Sequence, residues 1–96
     1  MSEVTLGRTG IVTNKNGFGA LPIQRISTAE AGRLLRKAYE NGITYFDTAR
    51  AYSDSEEKIG KALSDVRSNI YLATKSGAKD AKTLKKELET SLKTLR

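Results

Sequence analysis

Three apolar runs of strand length, each followed by a segment with helical periodicity, constrain the fold of this chain more than any other feature. Phe18-Gly19-Ala20-Leu21 precedes Ala31, Leu34, Leu35 and Ala38. Ile43-Thr44-Tyr45-Phe46 precedes Ile59, Ala62 and Leu63, and Asn69-Ile70-Tyr71-Leu72-Ala73-Thr74 precedes Leu84, Leu88, Leu92 and Leu95. Two parallel strands can be joined only by a crossover, and a helix is the usual one. The order therefore predicts parallel βα units, an α/β fold, with right-handed connections. Ahead of them, residues 3–14 read as a tight hairpin. Val4 and Leu6 alternate with polar neighbours, Arg8-Thr9-Gly10 turns the chain, and Ile11 and Val12 return it.

Local signals bound the helices. Ser27-Thr28-Ala29-Glu30 is a capping-box pattern, and Asn41-Gly42 supplies a C-terminal stop. Asp54 with Glu57 predicts a second capping box, and Asp80 is expected to cap the last helix. Pro22 limits how far the first strand can run as a central one. The leucines of the last helix form one continuous apolar stripe. That pattern reaches the final residue with no glycine or proline stop, and three parallel strands leave two unpaired edges. Both facts are expected of a chain cut before its sheet closes. No linker divides it. One unit over 1–96 is predicted, a hairpin at 1–14 and three βα units at 15–96.

Composition narrows the chemistry. The chain has 96 residues and neither cysteine nor histidine. Disulfides and thiolate metal sites are excluded, as are the commonest zinc ligand and the commonest general base. The formal charge of +6 comes from 17 basic and 11 acidic residues spread along the chain. The densest basic group, Lys79, Lys82, Lys85 and Lys86, is followed by Glu87 and Glu89. It reads as a solvated helix face, and no nucleic-acid partner is expected. No apolar run approaches the roughly 18 residues that span a bilayer, and Met1-Ser2-Glu3 does not open a signal peptide. A cytoplasmic protein without a membrane partner is expected.

Two strand ends carry a charged residue directly after an apolar run: Asp47 and Lys75. In a parallel βα barrel the C-terminal strand ends line one mouth, so both would face one cavity, with Tyr52 in the loop after Asp47. A free tyrosine titrates at about 10 and is a poor acid at neutral pH. A nearby ammonium stabilises the phenolate, and a carboxylate holds that ammonium charged and oriented. Taken singly, each residue has a blander explanation: a turn or cap for Asp47, packing for Tyr52, solvation for Lys75, close backbone approach for Gly19. Only together do they suggest a site.

Together they also carry a family likeness. Leu6-Gly7-Arg8-Thr9-Gly10 resembles the opening hairpin of the aldo-keto reductases, which plugs the bottom of their barrel. Gly17-Phe18-Gly19-Ala20 resembles their first barrel strand. Asn41 through Ala49, with Tyr52 and Glu56, is similar to the family's most specific signature, and Ala73-Thr74-Lys75 to its strand-end lysine motif. The resemblance implies the N-terminal part of a (β/α)8 TIM barrel and NADPH-dependent reduction of small aldehydes or ketones. It also implies Asp47, Tyr52 and Lys75 as three members of a catalytic tetrad, with Tyr52 the proton donor. Gly19, Ala20, Leu21 and Asp47 would lie beside the nicotinamide and its ribose. The tetrad's fourth member, a histidine, would end the next strand, so the chain alone is expected to be inactive. Ser53 departs from the family's usual glycine. The competing expectation is a non-catalytic βα module that self-associates, or docks on a partner, through open sheet edges.

Overall fold

The computed structural model describes residues 2–96 and begins with the expected hairpin. Strands β1 (Glu3–Thr5) and β2 (Val12–Asn14) pair antiparallel, with Val4 opposite Thr13. The turn uses Gly7 at φ 56° and Gly10 at φ 79°, a region open to glycine at little cost. Thr9 stitches it, its hydroxyl donating to the Leu6 carbonyl at 2.6 Å and accepting from the Ile11 amide at 3.1 Å. The hairpin is tied to the entry of a later strand. Thr13 and Thr44 share a hydroxyl–hydroxyl hydrogen bond of 2.7 Å, and the Asn14 amide donates to the Gly42 carbonyl at 3.2 Å.

Strands β3 (Phe18–Gly19), β4 (Tyr45–Asp47) and β5 (Tyr71–Ala73) form one parallel sheet in that order. Gly19 stands opposite Asp47, and Asp47 opposite Ala73. Each strand is shorter than its apolar run. β3 is cut to two residues because Leu21–Arg25, with Pro22 in its first turn, closes into a 3₁₀ helix. Ala20 stays buried with its amide donating to the Asp47 carbonyl at 2.9 Å.

Helix α1 (Thr28–Glu40) starts as the sequence predicts, the Ser27 hydroxyl accepting from the Glu30 amide at 3.1 Å. It ends at Asn41 and Gly42, the latter at φ 98°. Helix α3 (Ala81–Leu95) starts at Asp80, whose carboxylate accepts from the Thr83 amide at 2.8 Å. Helix α2 (Ser55–Leu63) departs from expectation. Asp54 occupies the cap position but makes no capping bond, because its carboxylate is claimed by Lys58 at 2.9 Å. That pair holds the Asp54 carboxyl below the usual carboxylate range, chiefly through the Lys58 hydrogen bond.

Phe46 is the largest fully buried side chain of a core that also includes Ala31, Leu35, Ile23, Ile59, Leu63 and Ile70. Of the leucine stripe of α3, only Leu95 joins it. Leu95 and Ser91, one turn apart, are buried, whereas Leu84, Leu88 and Leu92 are 50%, 52% and 65% exposed. The rotational phase of α3 is set by Gly60, against which the Thr94–Leu95 backbone lies directly. Only one edge of the leucine stripe can then meet α2. Lys79, Lys82, Lys85 and Lys86 are exposed, Lys79 lying just before the helix. Among the described residues no helix is long and apolar enough to cross a membrane.

Candidate active site

The parallel register brings the three strand ends to one rim. Asp47 is the last residue of β4, Gly19 beside it is the last of β3, and Lys75 lies two residues beyond β5. The chain stays in step past the strands, since the Thr48 amide donates to the Ala73 carbonyl at 2.8 Å and the Arg50 amide to the Lys75 carbonyl at 2.9 Å. Lys75 is thereby turned back over the end of β4. Its Nζ donates to Asp47 Oδ2 at 2.8 Å and to the Thr48 carbonyl at 2.7 Å. The same ammonium lies 5.2 Å from the centre of the Tyr52 ring, within the range of a cation–π contact.

The Asp47 hydrogen bond is the main cause of a Lys75 pKa above the ordinary lysine value; partial desolvation opposes it, and the Asp47 charge adds to it. A raised lysine pKa favours the folded state at pH values below the unfolded lysine range, and that contribution is lost as pH climbs through the folded value. Throughout neutral pH Lys75 is therefore a fixed cation. The pair is open to solvent, the side chains of Lys75 and Asp47 being 51% and 44% exposed. Its Coulombic strength alone is modest.

Tyr52 is positioned by a turn in which its amide donates to the Ala49 carbonyl at 3.1 Å and its carbonyl accepts from the Ser55 amide at 2.9 Å. The next residue, Ser53, adopts φ 49°, a left-handed conformation that glycine takes more easily. Here a serine holds it, its hydroxyl donating to Gln24 Oε1 at 2.6 Å. Leu21, 54% exposed, presents an apolar side chain just past the end of β3. Ala20 differs from its neighbours. It is buried, and its carbonyl accepts from Ser55 Oγ at 3.2 Å.

Two charged residues beneath the rim were not given roles from sequence. Glu56 is buried, and its Oε2 accepts from Thr74 Oγ1 at 2.7 Å and Ser91 Oγ at 2.6 Å. Its Oε1 is paired with the Arg50 guanidinium. Lys58 is buried too, its Nζ donating at 2.8 Å to each of the Ile23 and Ile26 carbonyls at the end of the 3₁₀ helix. A cation there satisfies carbonyls left over where the helix ends. Glu56 stands in the family signature without a role, and a further signal is positional. Glu56, Ile59, Gly60 and Leu63 follow the i, i+3, i+4, i+7 spacing of a buried stripe, so a carboxylate heads an apolar face.

A groove of about 490 Å³ between α1 and α2 is lined by Arg33, Arg36, Lys58 and Lys61 among others. Three of those cations are already paired: Arg36 with Asp65 at 2.7 Å, Lys58 with Asp54 at 2.9 Å and Lys61 with Glu57 at 3.2 Å. The rim is the stronger candidate.

A mixed α/β chain with a carboxylate, a phenol and an amine at the carboxyl ends of parallel strands has the layout of a βα enzyme. The chain belongs to the aldo/keto reductase family, whose sequence model matches residues 13–96. It is 36% identical over 97 residues to aldo-keto reductase str7 of Strobilurus tenacellus, which covers 82% of this chain and 29% of that protein. It is 32% identical over 105 residues to L-galactose dehydrogenase of Arabidopsis thaliana, covering 94% of this chain and 33% of that one. In structure it resembles the holo form of aldo-keto reductase AKR11C1 from Bacillus halodurans, with a TM-score of 0.87 at 29% identity over 99% of this chain and 36% of the other. The chain thus spans about a third of the length of the relatives it matches. The family is one of oxidoreductases that act on carbonyl groups.

Proposed function

We propose that this chain forms the proton-donating rim of an NADPH-dependent carbonyl reductase, within the first part of a (β/α)8 barrel. The observation that carries the reading is the placement of one ammonium, Lys75 Nζ, 2.8 Å from Asp47 Oδ2 and over the ring of Tyr52. Lys75 lies 28 residues from Asp47 in sequence, and no packing requirement calls for all three at an exposed rim.

The rim fits a dihydronicotinamide nucleotide. Exposed Leu21 offers an apolar surface, and Gly19 has open space where a side chain would stand. The Asp47 carboxylate, accessible beside them, can accept from a ribose hydroxyl. Ala20 contributes by holding the strand end through its buried backbone bonds, not by an exposed side chain. NADPH bound there supplies the hydride that reduces the carbonyl carbon to an alcohol carbon.

The remaining work falls to the chain's own groups. As negative charge develops on the carbonyl oxygen, the Tyr52 hydroxyl donates its proton to that oxygen. The charge left on the tyrosine oxygen is stabilised by Lys75, which Asp47 and the Thr48 carbonyl hold in place. A proton moves and Lys75 stays charged. Orientation of the substrate requires groups this chain does not contain, since it has no histidine. On its own the chain is expected to be inactive. In water an ammonium at a half-open rim stabilises charge far less than in an enclosed site.

The test is isotopic: a chain carrying these residues in a complete barrel is given NADPH deuterated at the transferable position and a panel of aldehydes and ketones. Deuterium at the carbinol carbon is the expected result. Its absence from every product, with nucleotide bound, would sink the proposal.

The exposed face of α3 supports a second reading, self-association. Leu84, Leu88 and Leu92 are solvent-exposed beside the free edge of β5, and unpaired edges and apolar faces favour pairing. Sedimentation of this chain is expected to show concentration-dependent dimers, which Leu88→Lys with Leu92→Lys reduces to monomer. A monomer at all concentrations would end that reading.

A further inference from the structure

We propose that Glu56 is a positioning residue for Lys75, setting the geometry of the rim from beneath. The inference rests on the reading of Asp47, Tyr52 and Lys75 as the reacting rim and adds a residue that touches none of the reacting atoms.

Exposure raises the problem that Glu56 solves. The Asp47–Lys75 pair is about half exposed, and pairs of that kind contribute little and hold a single geometry poorly. A long lysine side chain also sacrifices considerable rotamer freedom when it is fixed. Something below the surface has to orient the backbone from which Lys75 projects.

Glu56 grips that backbone from two sides. Its Oε2 accepts from the hydroxyl of Thr74, the residue immediately before Lys75. Its Oε1 holds the guanidinium of Arg50, and the Arg50 amide donates to the Lys75 carbonyl at 2.9 Å. Ser91 of α3 completes the set at 2.6 Å, fastening the carboxylate to the helix that follows β5. The loop after β4, the end of β5 and α3 therefore meet on one buried carboxylate. Two of those three connections lead to Lys75 within one residue.

The set of donors suits a carboxylate there. Thr74, Ser91 and Arg50 all donate, and a carboxylate accepts from all three with its two oxygens. A glutamine would turn its amide donor either onto the Arg50 guanidinium or onto the two hydroxyl oxygens, whose protons then lose their acceptor, and in both cases the charge facing Arg50 is gone. An unpaired buried donor carries its full desolvation cost. The strand end must then shift to relieve it, and Lys75 moves with that end.

The experiment follows the Lys75 ammonium directly, by side-chain ¹⁵N and ¹³C magnetic resonance of this chain across an alkaline titration. In Glu56→Gln, Lys75 is expected to titrate closer to an ordinary lysine, with its ammonium protons exchanging about tenfold faster, the scale of one lost charge-assisted hydrogen bond. Thr74→Val keeps the carboxylate and removes one grip, so a smaller change of the same sense is expected. It also serves if Glu56→Gln fails to fold. A folded Glu56→Gln chain with unaltered Lys75 signals, or a Thr74→Val chain with unaltered signals where Glu56→Gln does not fold, overturns the proposal. In a complete barrel, Glu56→Gln should lower kcat and displace the pH profile while KM changes little. Should Lys75 respond while turnover and pH profile stay as they were, the positioning role stands and the catalytic reading of the rim falls.

Discussion

Phenylalanine in place of Tyr52 is expected to lower carbonyl reduction by about 10²–10⁴-fold, the usual worth of a positioned general acid, with nucleotide affinity nearly unchanged. The substitution is informative because it isolates one oxygen. A phenyl ring keeps the packing of the tyrosine and leaves a face 5.2 Å from the Lys75 ammonium, so the cation–π contact survives in weakened form. The turn that presents the ring is made by main-chain bonds of residues 49–55 and needs no hydroxyl. Asp47, beside the proposed ribose position, keeps its bond to Lys75. What disappears is the proton for the carbonyl oxygen and the place where the ammonium acts. Steady-state kcat/KM with NADPH and an aldehyde, alongside nucleotide titration, measures both halves in a complete barrel. Turnover at the original rate would remove Tyr52 from the reaction. A loss of nucleotide binding equal to the loss of turnover would instead make it a binding residue.

The residues differ in how readily the sequence reveals their roles, and the reason is the range of the interaction involved. The hairpin, Ser27, Asp80 and Gly42 are governed by bonds spanning a few residues, and the structure forms each as the local pattern requires. Asp54 obeys the same local pattern yet does not cap α2, because Lys58 takes its carboxylate. Lys58 itself looks like a solvated lysine until the Ile23 and Ile26 carbonyls, more than thirty residues earlier, converge on it. The α3 leucines show a different limit. Their periodicity is genuine, but periodicity reveals which residues share a face and not how far that face is rotated from its neighbour. The rim was legible because strand ends in parallel sheets are placed by topology, so Asp47 and Lys75 could be brought together from order alone. Beneath it, Thr74, Ser91 and Arg50 are ordinary polar residues. Only Glu56 joins them.

Alanine at Gly60 is expected to destabilise the fold by about 1–3 kcal/mol, although helix propensity alone favours alanine there by about 1 kcal/mol. The two effects have opposite signs, which makes the substitution decisive. Gly60 lies in the interior of α2, where a glycine has no capping or turning role. A methyl built on it would sit 2.1 Å from the Thr94 carbonyl oxygen and 3.4 Å from Leu95 Cα. The obstacle is backbone, so no side-chain rotation relieves it. Two responses remain. The helices can separate, loosening the packing of Ile59 and Leu63, or the last turn of α3 can swing away and bring buried Leu95 into water. Exposing a leucine costs about 1.5–3 kcal/mol, so either route exceeds the propensity gain. The second route has a further consequence, because Ser91 lies one turn before Leu95 and holds Glu56 at 2.6 Å. Chemical denaturation of Gly60→Ala should give a lower midpoint with a similar slope. A raised midpoint would mean that α2 and α3 do not meet as closely as Gly60 requires. Alanine would then be acting only through the helix, and the phase of α3, with its exposed leucines, would have to be assigned to some other contact.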